Sequence, residues 1–223
     1  MMETLGFVGL GMMGHGMAAN LLKHGYPLKA LAHRNRAPLD DLLTRGAVAA
    51  TSLAELVRES DIVLFCVTGA SEVEQLVYEA DGVLANCRSG FILVDCSTSN
   101  PNLSRRIAED LGARGAHFVD APVTRAPKDA EAGRLNSLVG AEKTIFERIK
   151  PVLACYSENI AHFGPPGAGH SAKLINNFIS CGYTALIAEG MSLCFRAGES
   201  SVESSTLAGS MPMKRTEPQG SVT

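Results

Sequence analysis

Two groups of residues in this chain have the types and spacing to do chemistry. The first is Gly9-Leu10-Gly11-Met12-Met13-Gly14, entered from the apolar run Leu5-Gly6-Phe7-Val8. A strand that opens through such a turn into a helix exposes backbone N–H groups at the helix N-terminus, where a pyrophosphate can sit. Gly9 permits the tight turn, Gly11 lets phosphates approach the backbone, and Gly14 lets the helix pack against the strand. Gly9, Gly11, Met12, Met13 and Gly14 are therefore read as dinucleotide contacts. The second group is Lys173 with Asn177, four apart and so on one face at the start of a predicted helix. A lysine whose pKa is lowered by burial can give a proton to a carbonyl oxygen while hydride arrives at the carbon. Asn177 would orient that lysine or bind the substrate. A Lys/Asn pair by itself also describes a solvated face. Gly167 and Gly169 just before it, and a helix otherwise poor in charge, favour the chemical reading.

Three further segments fall at predicted strand ends. His33-Arg34-Asn35-Arg36 follows the second strand, and no acid appears until Asp40. A NAD-selective fold usually places an acid there for the ribose 2′-OH, whereas an arginine pairs with a 2′-phosphate. Arg34 and Asn35 are read as contacts to NADP, with NAD the less expected coenzyme. Asp95-Cys96-Ser97-Thr98 ends another strand. Ser97 and Thr98 could bond coenzyme or substrate, or equally cap the next helix. Asp120-Ala121-Pro122-Val123-Thr124-Arg125-Ala126-Pro127 offers the Thr124 hydroxyl and the planar fork of Arg125, suited to a carboxylate or sulfonate. The alternative for Arg125 is a rim cation paired with a surface acid. His33 and His170 read as polar loop residues rather than ligands.

These residues need a scaffold, and the chain spells one. Strands are expected at Leu5–Val8, Leu28–Ala32, Val48–Ala50, Asp61–Val67, Phe91–Val94, His117–Val119, Leu138–Val139 and Asn159–Phe163. Helices fall between them, one of them at Leu53–Arg58 behind the N-cap pair Thr51-Ser52. Such alternation implies an α/β fold of Rossmann type, a doubly wound and mostly parallel sheet that binds ligands beyond the carboxyl ends of its strands. Gly164-Pro165-Pro166-Gly167 interrupts the pattern. Residues 1–164 are read as an NADP-binding Rossmann domain. Residues 165–198 would begin an incomplete all-α domain as one long helix ended by Gly198, and 199–223 a disordered, serine-rich tail. A net charge of −3 gives no general pull toward nucleic acid or an anionic membrane. The six cysteines show no metal-ligand spacing, and no basic stretch with a long apolar run opens the chain. They are expected as reduced, mostly buried thiols of a cytoplasmic protein.

Taken together, the segments at 6–14, 95–98, 120–123 and Lys173 with Asn176-Asn177 resemble the β-hydroxyacid dehydrogenase family, over about residues 4–198. That resemblance implies that Lys173 is the catalytic acid/base and that Asn177 assists at the substrate. It further implies that Val67, Thr68 and Thr98 touch the coenzyme, and that the protein is homo-oligomeric. Two departures stand out. The family commonly has Ser-Gly-Gly after Ala-Pro-Val for the substrate carboxylate, where this chain has Thr124-Arg125-Ala126. The arginine suggests a changed or more strongly anionic substrate, such as a sulfonated aldehyde. Family members also continue past the long helix into further helices, whereas here the resemblance stops near Gly198. The expectation is a truncated chain whose long helix exposes an apolar face, with oligomerisation in doubt.

The reading is thus an NADP-dependent oxidoreductase acting on a small β-hydroxyacid or its semialdehyde. The alternative is a catalytically impaired coenzyme-binding fragment of such an enzyme. A 6-phosphogluconate dehydrogenase opens similarly, but that family has a His-Asn pair where this chain has Asn176-Asn177.

Overall fold

The computed structural model describes residues 2–33 and 35–196. Arg34, the expected helix end at Gly198 and the expected tail therefore lie outside the described residues.

Six strands form a parallel sheet ordered β3-β2-β1-β4-β5-β6. They are β1 (Leu5–Val8), β2 (Leu28–Leu31), β3 (Val48–Ala49), β4 (Ile62–Phe65), β5 (Ile92–Asp95) and β6 (His117–Asp120). The connecting helices are α1 (Gly14–Lys23), α2 (Ala37–Thr44), α3 (Leu53–Arg58), α4 (Ala70–Tyr78), α5 (Val83–Asn86) and α6 (Pro101–Gly112). The apolar runs of β1, β4 and β5, the last closed by Asp95, follow from burial on both faces. Alternate side chains of β4 serve two cores: Ile62 and Leu64 pack with Phe7, Met17 and Leu21, while Val63 and Phe65 pack with Leu56, Val57 and Ile107. Ser52 caps α3 as expected, its hydroxyl accepting the Glu55 N–H at 3.1 Å.

The later part of the sheet departs from simple alternation. A short β7 (Val123–Thr124) and α7 (Pro127–Glu131) precede β8 (Leu135–Gly140), which runs antiparallel to both β6 and β7. After α8 (Lys143–Leu153), β9 (Ser157–Gly164) lies parallel to β8. The strand expected at Leu138-Val139 thus starts three residues earlier. Its first half is masked in sequence by polar residues that are satisfied inside the sheet, such as Ser137 bonded to Ser157 at 2.7 Å. Elements as short as α5, α7 and β7 carry no readable period.

Helix α9 (Ala168–Arg196) begins where the Gly-Pro-Pro-Gly break ends. The chain divides into two compact units between Ile175 and Asn176. The first holds the sheet, α1 to α8 and the opening turns of α9. The described part of the second is the remainder of α9, which exposes Phe178, Ile179, Leu186 and Phe195. It carries the exposed apolar residues anticipated from sequence. By length and composition α9 is the one helix among the described residues able to cross a membrane, with a mean hydropathy of 1.4 over its most apolar stretch. Core helices of globular proteins meet the same measure, and His170 in its first turn is fully buried in the first unit.

Candidate active site

The site lies at the carboxyl edge of the sheet, where the turns after β1, β4, β5 and β6 gather. The β1–α1 turn needs its three glycines for three different reasons. Gly9 has φ +97°, and a Cβ on it would strike the Cys66 carbonyl of the β4 end. A Cβ on Gly14 would fall on the Gly9 carbonyl oxygen. A Cβ on Gly11 would meet nothing within 4 Å. Packing therefore does not require glycine at 11, and the open space there leaves the backbone approachable from outside. The N–H groups of Met12 and Met13 have no acceptor among the described residues, and Met12 is 82% exposed. Open space over a glycine, with free donors at a helix N-terminus, fits a dinucleotide pyrophosphate.

The neighbouring turns close around that edge. Val67 is half-buried, and its N–H donates to the Ser97 hydroxyl at 3.0 Å, tying the β4 end to the β5 end. Ser97 is only 3% exposed, so its hydroxyl serves this tie, whereas Thr68 and Thr98 are exposed. Asn35 is exposed, and its side-chain Oδ1 accepts the Ala37 N–H at 3.1 Å at the start of α2.

Lys173 projects from the second turn of α9 and donates from Nζ to the Val123 carbonyl at 2.8 Å. Burial pushes its pKa below the ordinary lysine value. The first turn of α9 is seated by groups that sequence reasoning did not assign. The Asp120 carboxylate, at the end of β6, accepts the Gly167 and His170 N–H groups, each at 2.6 Å. A carboxylate there caps the helix and meets the positive end of its dipole. Gly169 lets the helix descend onto the sheet, since a Cβ would strike the Leu138 carbonyl. His170 is no loop residue: it lies on α9 and is 0% exposed. Its Nδ1 meets the Ser104 hydroxyl of α6 at 2.7 Å, and its Nε2 donates to the Ser97 carbonyl at 3.0 Å. Burial lowers its pKa against the pull of Asp120. Asp95 lies on the other side. One of its oxygens accepts the Ser97 N–H at 2.9 Å; the other has no hydrogen-bond partner and sits 3.8 Å from His170 Nε2. Burial pushes this carboxyl up to about 6. Its only sequence signal was an acid closing a buried apolar strand.

Thr124 and Arg125 follow Val123 directly. The Thr124 hydroxyl accepts from the Asn136 amide at 3.0 Å. Arg125 is the one non-glycine among the described residues with positive φ, at +85°. It occupies a left-handed position that suits glycine. Its Nη1 donates to the Arg134 carbonyl and to Glu158, both at 2.5 Å. Asn177 is half-buried and belongs to the second unit. All six cysteines are free: Cys96 and Cys155 are buried, Cys66, Cys87 and Cys194 half-buried, and Cys181 exposed.

The sequence pattern of the NAD binding domain of 6-phosphogluconate dehydrogenase matches residues 4–164, ending before Lys173. The chain is 36% identical over 194 residues to 2-(hydroxymethyl)glutarate dehydrogenase of Eubacterium barkeri, covering 87% of this chain and 64% of that protein. It is 36% identical over 197 residues to 3-hydroxyisobutyrate dehydrogenase of Pseudomonas aeruginosa, covering 88% of this chain and 66% of the relative. Among solved structures, the 3-hydroxyisobutyrate dehydrogenase of Mycobacterium tuberculosis with L-serine superposes with a TM-score of 0.82 at 30% identity. That match covers 90% of this chain and 68% of the other. The chain thus spans about two thirds of the length of these relatives.

Proposed function

This chain belongs to the β-hydroxyacid dehydrogenase family, and from that premise we propose that it is an NADP-dependent oxidoreductase interconverting a small anionic β-hydroxyacid and its semialdehyde. A bound nicotinamide coenzyme supplies or accepts the hydride. The N–H groups from Gly11 to Met13 hold the pyrophosphate, and Val67, Thr68 and Thr98 border it. Arg34, outside the described residues, with Asn35 beside it, selects the 2′-phosphate. Lys173 takes the hydroxyl proton in oxidation and returns it to the carbonyl oxygen in reduction. Thr124 and Arg125 orient the anionic end of the substrate, and Asn177 assists.

The observation that carries this reading is Lys173 itself. It is a half-buried amine with lowered pKa, 2.8 Å from a backbone carbonyl at the strand edge that also holds the glycine turn. A lowered pKa brings the neutral amine, the form able to accept a proton, nearer to physiological pH. The printed names of two relatives, a 2-(hydroxymethyl)glutarate dehydrogenase and a 3-hydroxyisobutyrate dehydrogenase, support a hydroxyacid substrate. The first also agrees with a second anionic group opposite Arg125. Free cysteines throughout suit a reducing, cytoplasmic setting.

Fluorescence titration with NADPH and NADH, followed by steady-state assay with small hydroxyacids, tests the proposal. NADPH is expected to bind more tightly. Lys173→Ala should lower turnover at least a hundredfold while leaving NADPH affinity nearly unchanged, in the range of general acid–base effects of roughly 100- to 10,000-fold. Loss of NADPH binding in that variant would make Lys173 structural. A second reading, coenzyme binding without turnover, is favoured by the apolar residues that α9 leaves exposed, Phe178 at 80% among them. Tight NADPH binding with no turnover by the unaltered chain would establish it.

A further inference from the structure

We infer that His170 is a positioning residue for Lys173, an inference that rests on the acid/base reading of that lysine. The imidazole joins three elements at one point: the Ser97 carbonyl beyond β5, the Ser104 hydroxyl on α6, and its own first turn of α9. Ser97 and Ser104 are close in sequence, but His170 lies 66 and 73 positions beyond the groups it bonds. The charged groups facing the ring are Asp95 from β5 and Asp120 from β6, each 3.8 Å from a ring nitrogen. Ser104 from α6 is the neutral one, and the Arg105 side chain approaches Gly167 just ahead of the helix.

The geometry explains why a histidine serves here. Its Nε2 must carry hydrogen, because the Ser97 carbonyl only accepts. Its Nδ1 then pairs with a hydroxyl able to donate or accept. Asp120 holds the backbone of the same turn through Gly167 and His170. Lys173, three residues on, extends from a turn clamped by both its main chain and a side chain. The clamped turn fixes the point from which the side chain reaches, and its Nζ meets the Val123 carbonyl at 2.8 Å. Both ring nitrogens are partnered, and buried polar groups satisfied in this way rigidify what they join.

The test is carried out on the full chain without coenzyme. Lys173 is acetylated with acetic anhydride across a pH series, and its labelling is followed by mass spectrometry. In His170→Ala the midpoint of the labelling profile should move up toward that of an ordinary lysine, because the amine regains water. The Gly167 amide should exchange about tenfold faster as the turn loosens. His170→Gln, which keeps a donor for the Ser97 carbonyl, should restore the original midpoint. An unchanged midpoint in His170→Ala, or an equal shift in His170→Gln, overturns the inference. Should His170→Ala fail to fold, Ser104→Ala takes its place: an upward shift supports the role and no shift overturns it. Labelling requires neither coenzyme nor turnover, so this result is distinguishable from failure of the catalytic reading tested with Lys173→Ala.

Discussion

Arg125 shows how a single backbone angle limits what a residue can be. The family's usual Ser-Gly-Gly places glycine where this chain has Arg125, and the structure keeps the positive φ that glycine tolerates. Holding a non-glycine there costs about 1–2 kcal/mol. An exposed pair such as Arg125 with Glu158 returns only about 0–1 kcal/mol. Arg125→Gly is therefore expected to leave the melting temperature unchanged or slightly raised. If the guanidinium contacts the anionic end of the substrate, the same variant should raise KM about tenfold with a smaller effect on kcat, as loss of one charge-assisted contact would. An unaltered KM would assign Arg125 to its pairing with Glu158 alone. The residue type was visible in sequence and so were both readings of it. Its partner was not, because Glu158 is 33 positions away on another strand.

At the scale of elements, the strand–turn–helix at the chain start was readable almost residue by residue. Most of its requirements are local (an apolar strand, a turn, a helix packed on that strand), although Gly9 also faces the Cys66 carbonyl of a strand distant in sequence. The turn also separates packing from binding. A Cβ at Gly14 falls on the Gly9 carbonyl, whereas one at Gly11 meets open space. Gly14→Ala should thus destabilise the protein by roughly 1–3 kcal/mol, as overpacking does. Gly11→Ala should change stability by no more than about 0.5 kcal/mol, typical of an unhindered surface site. Yet it should weaken NADPH binding about tenfold, by holding phosphates away from the N–H groups. Denaturant melts paired with NADPH titration read both effects. Equal destabilisation by the two variants would assign Gly11 to packing. By contrast, β7, α7 and the first half of β8 were not legible: α7 is too short to show a period, and the polar residues of β7 and β8 are satisfied across the sheet rather than by solvent.

At the scale of the molecule, the arrangement leaves Asp95 buried with one unpartnered oxygen. Its carboxyl is pushed up to about 6 in the folded state, above the unfolded value of about 3.9. Between those values the folded chain binds the proton and the unfolded chain does not. Its contribution to stability is therefore full below the unfolded value and lost as pH rises through about 6. His170 acts in the opposite sense over part of that window, because folding holds its pKa below the usual value. The Asp95 share is read as a difference: between pH 5 and pH 8, wild type should lose about 1 kcal/mol more stability than Asp95→Asn. Parallel pH slopes for the two proteins would mean that Asp95 is ionised throughout. The sequence by itself determined the α/β alternation, the glycine turn and the helix bearing Lys173, because neighbour-to-neighbour rules of period, turn and cap govern all three. Only the tertiary structure decided that β8 turns antiparallel. It alone also brought Asp95, Ser104 and Asp120 together around His170 in the first turn of that helix. These residues lie as much as 73 positions from the groups they bond. Their meeting depends on strand order and on how deeply α9 descends into the sheet edge, which no local pattern encodes.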